Sequence, residues 1–219
     1  MNSEDYSGYQ TPQVRKTQVV TLYMRQLQMQ NFYNSVIVSP STVGDWEETK
    51  TTGGVYIGLG KTSPWSDPND PDISDTFPPI PSETMTELED LQGMQRVTWK
   101  KFAKPYVAPT SEQKDADGTI YYKGLYYETT NDLDYALANG FTAVMCLMTA
   151  DRQEHFPINL SIRQVGLFMG VNSTNKYLTG QMYSQLSPED KGHLVAVENF
   201  MPITRQADQL EKYFFLIQF

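Results

Sequence analysis

The chain has 219 residues and a formal net charge of −9, with 39% hydrophobic and 12% aromatic residues, 14 of them Tyr. That length supports one large domain or two small ones with a substantial core, folding burying about 70% of the extended chain's surface. No Lys/Arg run interrupts the acidity, so the basic patch that nucleic acid or an anionic membrane requires is missing and neither is expected as a partner, whereas surplus Tyr suits protein–protein contact.

Residues 1–16 read as a flexible N-terminal arm able to order on a partner, and residues 17–219 as a single mainly-β structural domain with a point of sub-division near 104–118. MNSEDYSGYQTPQ lacks the basic start and apolar run of a signal peptide, and no stretch reaches the ~18 apolar residues of a membrane span. The expectation is a soluble protein made in a reducing cytoplasm. Thr11 with Pro12, or Thr17, is placed to cap a helix in which Leu22, Met29, Tyr33 and Val36 recur at the spacing of one face. That face either lies on a sheet or forms an oligomer seam; Asn34, Ser35 and Pro40 end it.

A polar loop holding Trp46 leads through Gly53 and Gly54 into VYIGLGKTSPWS, Val55 to Ser66. Val55, Ile57 and Leu59 alternate with Tyr56 and Gly58 as a strand with one face in the core, and Ser66 to Asp75 is a loop too rich in Pro, Asp and Ser for any ladder. Gly60-Lys61-Thr62 imitates the end of a phosphate-binding loop, but the first Gly of that motif falls on Val55, and Pro64-Trp65-Ser66-Asp67-Pro68 does not start the helix that would hold the anion. Phe77-Pro78-Pro79-Ile80-Pro81 is extended and polyproline-like, suited to lie along a neighbour's surface or its own.

Ser82 to Leu91 predicts a short helix capped by Ser82, with Met85, Leu88 and Leu91 on one side and Gly93 at its end. Met94 to Phe102 has strand composition, and Lys104 to Asp117 reads as a loop. Thr119 to Thr129 is an aromatic strand pair, or one long strand with Gly124 marking a bulge. Asp132 to Asn139 makes a helical turn closed by Gly140. Phe141–Met148 and Leu160–Met169 are strands around a charged loop at 151–157. Ser173 to Lys191 is turn-rich, Leu194 to Val197 is a strand running on to Pro202, and the apolar LEKYFFLIQF ending needs a partner strand to avoid aggregation. The sum is about seven strands and two or three helices, hence a mainly β (α+β) fold of antiparallel sheets or a sandwich, with an N-terminal helix and one or two short peripheral helices.

Chemistry is sparse. His155 and His193 lack metal-ligand spacing, and Cys146 lies in the apolar run AVMCLM, where a thiol is protonated and shielded. Asp67, Asp70, Asp72 and Asp75 offer oxygens to calcium or simply form a solvated loop. Asp115-Ala116-Asp117-Gly118 opens like a calcium-binding loop, but Tyr126 stands where the closing Glu belongs. The expectation is therefore no catalytic, cofactor or metal residues and no cofactor.

Three co-linear stretches carry a resemblance. Asn31-Phe32-Tyr33-Asn34-Ser35 followed by Val55 to Ser66, then Phe156-Pro157 with Arg163-Gln164-Val165-Gly166-Leu167-Phe168, then Val195 to Phe219, resemble in order the baseplate wedge protein eight family of T-even-type contractile phages. The T-even member carries a large insertion where this chain has only Lys104 to Gly118. The resemblance implies a non-enzymatic virion building block of the tail baseplate, a homodimer assembling with other wedge proteins.

Phe32, Tyr33 and Trp65 are expected as aromatic anchors fixing the helix against the base of the strand. Pro78, Pro79, Pro81, Tyr121, Tyr122, Tyr126, Tyr127 and the N-terminal arm are the candidate partner contacts. Two other readings of an all-β domain with aromatic surface remain, a tail-associated carbohydrate- or receptor-binding module and a hydrolase of unseen type.

Overall fold

Side-chain alternation across extended backbone organises the molecule. The computed structural model describes residues 21–35, 54–150, 156, 159–204 and 211–219, so the expectations placed on the N-terminal arm, Thr11, Thr17, Val36, Trp46 and His155 lie outside the described residues. The first elements are α1 (Leu22–Ser35), β1 (Gly54–Gly60), β2 (Gly93–Arg96), β3 (Trp99–Pro105), α2 (Ser111–Asp115), β4 (Thr119–Tyr122) and β5 (Leu125–Thr130). Then come α3 (Leu133–Ala138), β6 (Ala143–Ala150), β7 (Ser161–Val171), β8 (Tyr177–Thr179), α4 (Gly180–Ser184), β9 (His193–Thr204) and β10 (Glu211–Gln218). The described residues thus hold ten strands and four helices, more of both than the sequence count, in a mainly β molecule.

The strands form two antiparallel five-stranded sheets, ordered β8-β2-β1-β7-β9 and β10-β6-β3-β5-β4. Val55, Ile57 and Leu59 of β1 and Val165 and Leu167 of β7 enter one core with Phe102 of β3, Val144, Cys146 and Met148 of β6, and Tyr213 and Phe215 of β10. Each sheet also covers part of its outer face: Tyr56, Met94 and Phe168 lie with Leu88, Leu178 and Tyr183 on one, and Ala103, Tyr127, Ala143 and Met145 lie on the other. Consequently β1 is buried along its whole length on both faces, not on one as its alternation suggests. A strand central to its sheet and roofed by later chain reads the same way in the sequence as a half-buried one.

Three segments differ from expectation. Ser82–Leu91 is not helical; its backbone is laid flat beside the end of β1, where Lys61 N–H donates to Glu89 O (2.6 Å) and Gln92 N–H to Leu59 O (2.9 Å). Met94–Phe102 is two strands in different sheets, the chain crossing at Val97 and Thr98 between β2 and β3. Lys104–Asp117 is not all loop: β3 runs to Pro105, and Thr110 with Gln113 forms a reciprocal capping box that starts α2. Of the two readings of 119–129, the hairpin is the observed one, closed by Lys123 and Gly124 at φ 47° and 85°, the left-handed pair that a tight β4–β5 turn requires. The apolar terminus is paired as expected, β10 matching β6 from Glu211–Ala150 to Gln218–Ala143.

Candidate functional site

The feature the fold presents most deliberately is the excursion between β1 and β2. Its two ends are neighbours, Leu59 pairing with Gly93, so residues 61–92 are inserted into what would otherwise be a hairpin. Between Thr62 and Gln95 stand eight Asp or Glu and no Lys or Arg, so this one segment holds −8 of the chain's −9.

Glycines make its bed. Gly58 and Gly166 face each other across β1 and β7. A Cβ on Gly166 would come within 2.8 Å of the Leu88 side chain, and one on Gly58 within 3.0 Å of Leu91. At Gly60 a Cβ would meet Glu89 O at 2.6 Å. Missing side chains thus leave a hollow on the outer face of the sheet, and Leu88, 6% exposed, fills it.

Polar side chains of β7 and β9 then fasten the excursion. A register irregularity at Ile162–Gln164 lets Ile162 and Val165 both reach the core and turns Arg163 and Gln164 towards the excursion. Arg163, 5% exposed, grips Asp75 with two hydrogen bonds, Nε to Oδ1 at 2.6 Å and Nη2 to Oδ2 at 2.7 Å, and donates to Thr62 O. Asp75 also accepts from Trp65 N–H (2.9 Å). The Arg163 guanidinium, then the Trp65 N–H, hold the Asp75 carboxyl down at about 2 against the burial that would raise it, and Arg163 is raised in return. Fully buried Gln164 accepts from Glu89 N–H (2.8 Å) and donates to Asn199 Oδ1 (2.9 Å), while Asn199 Nδ2 donates to Pro79 O (2.8 Å). Lys61 closes the base through its ion pair with Glu89 (2.7 Å).

The expected anchors occupy two places. Phe32 meets Phe219 with ring centroids 5.5 Å apart, and Tyr33 stacks on Phe102 at 4.0 Å, both against the sheet that contains β3 and β10. Trp65 lies instead at the base of the excursion, its indole N–H donating to Phe200 O of β9 (3.2 Å), with Lys61 over its ring. Helix α1 has no basic residue in its last turn; Lys100 of β3 donates to Tyr33 O there and lies 4.3 Å from the Tyr33 ring, completing the helix end from outside. Thr21 caps the other end, accepting from Met24 N–H.

The candidate contact residues are sorted by the fold. Pro78, Pro79 and Pro81 are half-buried, whereas Phe77 and Ile80 between them are 69% and 94% exposed. On the β4–β5 hairpin Tyr121 is exposed against half-buried Tyr126 (centroids 4.9 Å), Tyr122 reaches Phe214 O, and Tyr127 is buried at 4%. Reading the sequence singled out the prolines and missed Phe77 and Ile80; the signal that finds them is the partition of charge, which marks 62–95 as a surface apart. Asp67 and Asp70 accept from Asn69 and Asp72 backbone N–H groups within their own loop. Among the described residues no three of His, Cys, Asp and Glu converge, and no helix is long and apolar enough to cross a membrane.

Residues 48–219, the span that contains both sheets, match the family of the baseplate wedge 3 tail fiber network component. The chain belongs to that family. Comparison with curated proteins gives no match. As a member of a baseplate wedge family it is a structural component of the phage tail baseplate, so the surfaces that matter are those on which neighbouring baseplate proteins assemble. The glycines and the Arg163–Gln164 pair, which lie in the stretches of motif resemblance, serve in this wedge protein to hold one acidic segment in a fixed shape.

Proposed function

We propose that the chain is a structural subunit of a contractile-tail baseplate wedge, the counterpart of the T-even wedge protein eight, that works by contact with other wedge proteins and catalyses nothing. The observation that carries this reading is the family match over 48–219. The use of the motif residues supports it: Gly58, Gly60, Gly166, Arg163 and Gln164 converge on a fixed excursion and not on a reacting centre. Residues 17–219 act as one structural unit, and residues 1–16 serve assembly and not folding.

The subunit is a homodimer whose seam includes the outward side of α1, where Tyr23, Met24 and Leu27 are exposed while Met29 is buried on the opposite side. Phe32, Tyr33 and Trp65 act as anchors, and Tyr121 and Tyr126 add to the contact surface. The test is light scattering of the purified chain, alone and after co-expression with the other wedge proteins of the same phage. A mass of two chains alone and a larger defined complex in the mixture are expected. A monomer that joins no wedge protein overturns the reading, and deletion of 1–16 should lower incorporation without changing the melting temperature.

A further inference from the structure

Phe77 and Ile80 stand out of the excursion at 69% and 94% exposure on backbone that is already fixed. Ser74 and Phe77 exchange two backbone hydrogen bonds, 3.1 and 3.0 Å, so Phe77 sits at a locked corner. Pro78, Pro79 and Pro81 restrict φ, and Asn199 ties down Pro79 O. Two apolar side chains held this way lose little freedom on binding, the property of an interface anchor. The segment that carries them holds carboxylates and no Lys or Arg. Of the eight carboxylates between 62 and 95, Asp75 is neutralised by Arg163 and Glu89 by Lys61, and Asp72 and Glu83 on either side of the anchor pair are exposed.

We propose that Phe77 and Ile80 insert into an apolar socket rimmed by Lys and Arg on a different protein of the baseplate. This inference rests on the wedge-subunit reading and names the surface through which it acts. Charge complementarity selects the occupant: a nucleic acid or an anionic membrane would be repelled, and a second copy of this chain carries the same net charge of −9. Its basic side chains in the β3–β5 region are already engaged: Lys123 with Glu198, Lys104 with Asn139 O, Lys114 over Tyr126 and Lys101 over Trp99. A distinct, basic neighbour fits where a copy does not.

The experiment uses the full chain and, as probes, the individually purified wedge proteins of the same phage, with binding read by interferometry at low and high salt. Phe77→Ser/Ile80→Ser is expected to weaken binding to one of them by about tenfold or more with an unchanged melting temperature. Asp72→Lys/Glu83→Lys should weaken the same complex, and salt should weaken the wild-type complex more than that of the charge variant. Wild-type binding left undiminished by the Ser substitutions, or insensitive to salt, overturns the inference alone. A Ser-induced loss of self-association replaces the basic neighbour by a second copy and equally overturns it. Failure of the wild type to bind any wedge protein overturns the wedge-subunit reading and the inference with it.

Discussion

Asp75 is the residue through which acid reaches the excursion. Its folded carboxyl titrates at about 2 against an ordinary 3.8, chiefly because Arg163 holds the charged form, so its contribution to stability is present above about pH 4 and is lost as pH falls through about 2. Asp75→Asn is expected to lower the urea midpoint at neutral pH, since it leaves the buried Arg163 guanidinium unpaired, and the gap between variant and wild type should close between pH 4 and pH 2. A gap of constant size over that window would show that Arg163 draws nothing from the Asp75 charge. Cys146 is the opposite case, a titratable group that burial removes from chemistry. Its thiol is pushed up to about 12 by desolvation inside the shared core. At pH 8 roughly one molecule in ten thousand carries the thiolate, so a disulfide reagent should label the native protein only as fast as it unfolds, and at once in denaturant. That outcome was legible in the sequence, because an apolar run such as AVMCLM shields its thiol in a strand or a helix alike.

At the scale of elements, the excursion is held by a few directional contacts, and each is testable. Gln164→Leu removes the acceptor for Glu89 N–H and the donor to Asn199, so a loss of about 1–3 kcal/mol in urea unfolding is expected, with faster protease cleavage between 66 and 84. Gly60→Ala places a methyl 2.6 Å from Glu89 O, a backbone atom that cannot swing aside as a side chain can, and should cost about 1–3 kcal/mol with the same gain in cleavage. Unchanged cleavage in both variants would mean that Leu88 alone keeps the segment in place. These contacts also explain where reading the sequence stopped. Ser82–Leu91 carries Met85, Leu88 and Leu91 at helical spacing, yet Leu88 answers to a hollow made by Gly58 and Gly166, residues far from it in sequence. Met94–Phe102 reads as one strand because its composition is uniform; the crossing at Val97 and Thr98 is fixed by which sheet each half pairs with, Met94 with Gly58 and Phe102 with Val144. Local signals that carry their own geometry were readable, such as the helical turn closed by Gly140 and the pairing need of β10, and Gly124 marked the break between β4 and β5 without deciding between turn and bulge. Contacts that depend on distant chain were not.

For the whole molecule, scaffold and excursion are separable in both charge and topology. The sandwich shares one core between its sheets, while the excursion leaves and rejoins a hairpin whose ends remain paired at Leu59 and Gly93. Loop-closure entropy changes slowly with length, so a short turn can replace a long insertion there at little thermodynamic cost. A variant with 62–90 replaced by Asn-Gly puts a two-residue hairpin between Lys61 and Leu91, and Arg163→Thr in the same chain avoids stranding the guanidinium that Asp75 neutralises. The change removes eight carboxylates and one guanidinium and takes the net charge from −9 to −2. The expected result is a strand-type circular dichroism spectrum with a cooperative melt, and loss of binding to wedge proteins. Molten or insoluble protein would mean that Leu88 and Trp65 belong to the indispensable core and that the excursion is part of the fold, not a display upon it. Full binding by a folded variant would move the assembly surface to α1 or the tyrosine hairpin, both outside the segment that carries −8 of the chain's −9, and such binding should then respond little to salt.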